Sequence, residues 1–152
     1  MSYGLATRSS QFSYVAAPMP ERCVIVIDES LPPGLAANAA AVLALTLGAR
    51  EPALVGADLI DADDGVHPGL FPSGLPVLKA PRATLADMRA KAAGNGVGLI
   101  DLPSFGQQTN DYDEFRAAVA RTPAADLEYL GLVVYGPRRA VGRLTGNLPL
   151  LR

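Results

Sequence analysis

Asp28-Glu29, Lys79, Asp101 and Tyr135-Gly136 each stand at the end of an apolar, β-rich run. In open α/β sheets, ligands gather beyond the carboxyl ends of the strands, where loops and helix N-termini converge. A helix opening at Gly34 would turn its free backbone N–H groups toward that rim, a setting that favours a carboxylate or a phosphate. An acid pair, a lysine and a helix end in one place form the leading candidate site. Lys79 could hold an anion there, or simply extend its amine into water from a strand end. Asn38, early in the same helix, could bind a ligand or satisfy a buried backbone group; among so many apolar neighbours its amide needs a partner either way.

The elements that must position these residues are legible from periodicity. Val24 to Ile27 is a continuous β-branched run, the mark of a strand buried on both faces. Leu35 to Leu47 reads as a helix that is apolar on nearly every side, with Gly48 as its C-terminal cap, and such a helix should be packed on more than one side. Leu54 to Asp61 and Val66 to Leu70 flank Asp63-Asp64-Gly65, a hairpin turn in which Gly would take the positive φ. Leu75 to Lys79 and Val97 to Asp101 are strands on either side of a helix over Thr84 to Ala93, whose Asp87, Arg89 and Lys91 should be exposed. Asn110 can cap the next helix, with Phe115 and Val119 facing inward, and Thr122-Pro123 can open a short turn before a strand over Leu127 to Tyr135. Alternating strands and helices argue for a sheet covered on both sides. Met1 to Arg22, polar and broken by proline, reads as a flexible arm, and residues 23–152 as a single domain.

Composition removes several classes of function. No apolar run approaches the roughly 20 residues of a membrane helix, and no signal-type start is present, so the expectation is a cytoplasmic protein that does not engage membranes. One His and one Cys cannot close a zinc site, and no cofactor motif stands out. Cys23 lies mid-strand, where it reads as a small core residue. His67 lies in the hairpin without a serine elbow to activate, so it reads as structural. Asp61, Asp63 and Asp64 lack the frame and closing Glu of a calcium loop. Residues 1–78 hold three Lys/Arg against eight Asp/Glu and residues 79–152 ten against seven, but a pI near 5.3 speaks against long contact with a nucleic-acid backbone. Arg138 and Arg139 would open a helix after Pro137, the unfavourable end for cations, which hints at use or marks a solvated pair.

The C-terminal run Leu130-Gly131-Leu132-Val133-Val134-Tyr135-Gly136-Pro137, with Val141, Leu144-Thr145-Gly146-Asn147-Leu148 and Leu150-Leu151 behind it, resembles the end of type II peptidyl-tRNA hydrolases. Cys23 to Asp28 opening onto Pro33-Gly34, and Val77-Leu78-Lys79-Ala80-Pro81 before Thr84-Leu85, resemble two further segments in the same order. Residues 54–74 and 110–126 have no counterpart. Asp-Glu-x-Leu-x-x-Gly-Leu-Ala-Ala-Asn over Asp28–Asn38, Val-Gly-Ala-Asp over Val55–Asp58 and Tyr-Gly-Pro-Arg over Tyr135–Arg138 are similar to a bacterial sister group catalogued as domain of unknown function 2000, and the chain is identified as a member.

That resemblance implies a three-layer α/β/α sandwich with a mixed central sheet, an added hairpin and an added helix, and a homodimer. It aligns Asn38 with a Gln that faces the hydrolase site, and Asp101 with an acid that ends a strand. The hydrolase Thr four residues on is Phe105 here, and Thr109 is the nearest substitute; the lysine-rich loop before the first helix is Leu31-Pro32-Pro33-Gly34-Leu35. Taken together, the expected site has Asp101, Lys79 and Thr109 in catalytic positions and Asp28, Gly34, Asn38 and Tyr135 binding a small polar or anionic ligand, without metal. The alternative is an ester hydrolase acting on peptidyl- or aminoacyl-tRNA; a third reading is an interaction module using the surface from Tyr135 to Arg143.

Overall fold

A computed structural model describes residues 18–152, so residues 1–17 of the expected arm lie outside the described residues. Strand β1 (Arg22–Asp28) is buried from Cys23 onward, as a β-branched run covered on both faces must be. Helix α1 (Pro33–Arg50) follows, with proline at its first position, where a missing N–H costs nothing. Then come β2 (Leu59–Ile60), β3 (Val66–His67), β4 (Val77–Ala80), α2 (Arg82–Ala92), β5 (Gly98–Pro103), α3 (Tyr112–Arg121), β6 (Tyr129–Gly136) and α4 (Arg138–Thr145).

Four strands form one mixed sheet in the order β4-β1-β6-β5. β1 and β4 are parallel, with Ile25 opposite Val77; β6 is antiparallel to both of its neighbours, with Val133 opposite Ile25 and Ile100. α1 covers the face that carries Ile25, Ile27 and Val133, while α2 and α4 cover the face that carries Val24, Val26, Leu132 and Val134. This is the expected three-layer sandwich around a mixed sheet. The outer edge of β4 is closed by the C-terminal segment, whose Leu151 N–H donates to the Val77 carbonyl while Lys79 N–H donates to the Pro149 carbonyl. Gly131 lets α1 settle onto the sheet, because a Cβ there would stand 2.9 Å from the Cδ1 atoms of Ile27 and Leu43 and 3.0 Å from the Val26 carbonyl oxygen.

Local chemistry departs from expectation in several places. α1 runs past Gly48 to Arg50, so that glycine is helical rather than a cap. Asp111, not Asn110, caps α3, its carboxylate accepting from Asp113 N–H and Glu114 N–H, and Thr122 closes that helix by donating to the Ala118 carbonyl. In the hairpin Asp64 takes the positive φ of 64°, while Gly65 is needed for space, since a side chain there would run into the Asp61 carboxylate. The paired part of that hairpin is only Leu59–His67 and Ile60–Val66. α1 packs on one side only: Leu35, Val42 and Leu45 are exposed, Leu45 by 77%.

Candidate functional site

The antiparallel course of β6 separates one expected member from the others. Tyr135 pairs with Cys23 and Gly98, at the amino ends of β1 and β5, so it stands at the rim opposite Asp28 and Asp101. Lys79 is also divided from the acids. Its register partner is Ile27, which faces α1, whereas Asp28 and Asp101 alternate onto the α2 face. The expected pocket of Asp28, Lys79 and Asp101 is thus split across the two faces of the sheet, and coupling of Lys79 to either acid is not found.

Both acids are instead taken up by arginines of α2, which sequence reasoning had left out of the site. The Asp28 side chain is 1% exposed and accepts from Ser30 N–H (3.0 Å), Ser30 Oγ (2.8 Å), Arg82 Nε (2.8 Å) and a terminal nitrogen of Arg82 (2.7 Å). Burial alone would raise the pKa of this carboxyl; the donors from Ser30 and Arg82 outweigh it and hold the group below the usual carboxylate range. Arg82 also reaches Glu128 at 3.0 Å. About two turns further along the same face of α2, Arg89 donates to Asp101 at 2.7 Å and lies 5.5 Å from the centre of the Tyr129 ring. A bulge in β6, where the partner of Pro103 becomes Tyr129 rather than Leu130, turns that ring to the α2 face. The signal that could have found this arrangement is the seven-residue spacing of Arg82 and Arg89, which puts both on one helical stripe.

Of the remaining expected residues, Asn38 and Thr109 share a cavity whose lining does not include Gly34. Asn38 of α1 and Thr109 line a cavity of about 200 Å³ with Gln107, Asn110, Asp111 and Phe115, where the end of β5 passes between α1 and α3. Thr109 Oγ1 donates to Glu114 at 2.8 Å and accepts from Asp111 N–H at 3.0 Å, and the Asp111 carboxylate is occupied in capping α3. The Gln107 side-chain nitrogen is buried there without a hydrogen-bond partner. Among the described residues no basic side chain lines this cavity. Adjoining it, a groove of about 390 Å³ follows β5 from Leu99 to Pro103 beneath Val42, Thr46 and Arg50 of α1, and Tyr135 closes its far end.

Elsewhere, burial, with the Glu51 carboxylate adding to it, pushes the Cys23 thiol up, as befits a core residue. His67 Nε2 lies 3.0 Å from Asp61 in the exposed hairpin. Among the described residues no cluster of His, Cys, Asp and Glu could hold a metal, and no helix is long and apolar enough to cross a membrane.

Sheet, layers and cavity define a small α/β sandwich protein with a polar hollow where α1, β5 and α3 meet. A family model described as "Protein of unknown function (DUF2000)" matches residues 21–152, and the chain belongs to that family. A solved structure of a protein of unknown function, Atu0240 from Agrobacterium tumefaciens strain C58, is similar with a TM-score of 0.78, covering 85% of this chain and 96% of that one at 14% identity. Such a likeness shows the fold alone. No curated protein matches the chain.

Proposed function

We propose that this protein binds a small, neutral, polar ligand in the cavity lined by Asn38, Gln107, Thr109 and Asn110. The observation that carries the reading is the Gln107 amide nitrogen, buried without a hydrogen-bond partner in a side chain that lines a cavity already furnished with amides and a hydroxyl. A buried donor left unmet costs about 1–3 kcal/mol, which a polar group reaching it, from water or from a ligand, would offset. Because the carboxylates of Asp111 and Glu114 are committed and no cation lines the walls, the ligand is neutral rather than anionic.

The test is an NMR titration with acetamide, N-acetylglycine amide and glycerol as neutral probes and acetate as the charged one. The side-chain amide signals of Gln107 and Asn38 are expected to move with at least one neutral probe and not with acetate, and Gln107→Leu to weaken binding by about tenfold or more. Signals that no neutral probe moves, or affinities unchanged by Gln107→Leu, would overturn the reading.

The ester-hydrolase alternative has little to support it, since Lys79 and Asp101 face opposite layers and the matched loop lysine and Thr are missing. Each lost donor to a developing charge is worth about 3 kcal/mol, or roughly a hundredfold in rate. Release from peptidyl-tRNA is expected to stay at background; turnover abolished by Asp101→Ala would restore that alternative. The exposed Leu35, Val42 and Leu45 on α1 support the homodimer implied by the resemblance.

A further inference from the structure

A second cavity lies at the opposite end of the sheet, where β4 has not yet begun. β4 starts at Val77 opposite Ile25, so Arg22 to Val24 of β1 have no strand beside them on that side. The reason is local: Ile25 N–H donates to the Pro76 carbonyl at 3.0 Å, but Pro76 has no N–H with which to continue the ladder toward Cys23. The space that a longer β4 would fill is a cavity of about 320 Å³, whose walls include Arg22, Arg138, Ser73, Leu54, Phe71 and Pro76.

Two arginines, Arg22 and Arg138, stand in its wall. Arg22 Nε is buried and has no hydrogen-bond partner, and among the described residues neither Arg22 nor Arg138 takes part in an ion pair. The one acid in the wall, Glu21, accepts from Arg138 N–H at 3.0 Å and so caps the start of α4. A guanidinium N–H shut away from water without an acceptor is unfavourable, and guanidinium pairs recognise planar anions best. The same wall holds Leu54, Phe71 and Pro76, an apolar surface within the cavity.

We propose that this gap in the sheet binds a small carboxylate with a short apolar tail, the head on Arg22 and Arg138 and the tail against Leu54, Phe71 and Pro76. The volume lies at the lower end of the range for small-molecule sites, about 300–1,000 Å³. This site is separate from the one around Gln107 and stands or falls without it.

Hexanoate, hexanol and inorganic phosphate are the probes, titrated into the isotope-labelled full chain and followed by NMR. Hexanoate is expected to move the backbone signals of Arg22, Cys23, Leu54 and Phe71 while leaving the Gln107 amide unmoved. Hexanol, which lacks the charge, and phosphate, which lacks the tail, should each bind about tenfold more weakly or worse. Arg22→Gln should reduce hexanoate affinity by about tenfold, and the exposed Arg138→Gln, which leaves β1 intact, should do so independently. The proposal is overturned if hexanoate leaves these signals unmoved, if it binds both variants as it binds the wild type, or if phosphate binds as tightly.

Discussion

Asp28→Ala is expected to lower stability by about 2–3 kcal/mol at neutral pH, because it removes a carboxylate that accepts charged and backbone hydrogen bonds from inside the fold. The Arg82 guanidinium would lose its buried partner yet keep Glu128 at 3.0 Å, and its side chain is 37% exposed. That partial solvation keeps the loss below the roughly 3–5 kcal/mol that follows when a fully buried pair is broken. The effect should depend on pH in a definite direction. The folded-state pKa of Asp28 lies below its ordinary value, so its stabilising contribution is complete above the unfolded pKa, near about 3.9, and is lost as pH falls through the folded pKa. Urea denaturation of wild type and Asp28→Asn, which cannot titrate at this position, should therefore show a stability gap at pH 7 that narrows on acidification below about pH 4. A gap that is constant across this range would contradict the role given to the carboxylate.

Gly131→Val should be of similar severity, at about 3 kcal/mol, and Gly131→Ala milder, at about 1 kcal/mol. Two of the atoms a Cβ would meet, the Cδ1 atoms of Ile27 and Leu43, are tips of flexible side chains that can yield; the third, the Val26 carbonyl oxygen, belongs to the paired strand and cannot. A valine needs more room than those tips can give, so α1 would have to lift from the sheet. Combining Gly131→Val with Leu43→Ala should then cost less than the sum of the two single changes, since the shortened side chain vacates the contested space. Strict additivity in the denaturation free energies would show that α1 does not meet the sheet through this contact.

Much of the scaffold is legible in the chain, and the reason differs from element to element. β1 and β6 betray themselves as unbroken apolar runs because both faces of the sheet are covered, and Ile25, Val26, Leu132 and Val133 duly pair in the middle of it. Leu99 and Ile100 join the same sheet but are only half-buried, since β5 is its edge. The direction of β6 is a different matter. A strand apolar on both sides reads alike in either sense, and only its pairing partners decide which way it runs; the displacement of Tyr135 to the far rim follows from that single ambiguity. Strand ends alone put Lys79 and Asp101 in one place, whereas the period-two alternation of side chains sends them to opposite layers. Arg89 was expected to be exposed, and at 41% it partly is, yet it holds Asp101. Asn38 and Thr109 line one cavity away from the two acids, while the neighbouring Gln107, whose amide nitrogen is buried without a partner, offers no pattern of its own in the sequence.

The central position of β6 also governs the order in which the sheet can assemble as the chain leaves the ribosome. By the time β5 has emerged, three of the four strands exist, but only β1 and β4 are neighbours; β5 and the other edge of β1 must wait for Tyr129–Gly136. Those apolar segments are exposed together during synthesis, and the contacts that finally cover them are far apart in sequence, a circumstance that slows folding and favours misassociation. A nascent chain halted before Tyr129 therefore lacks the one strand that joins β5 to β1 and leaves their apolar surface uncovered.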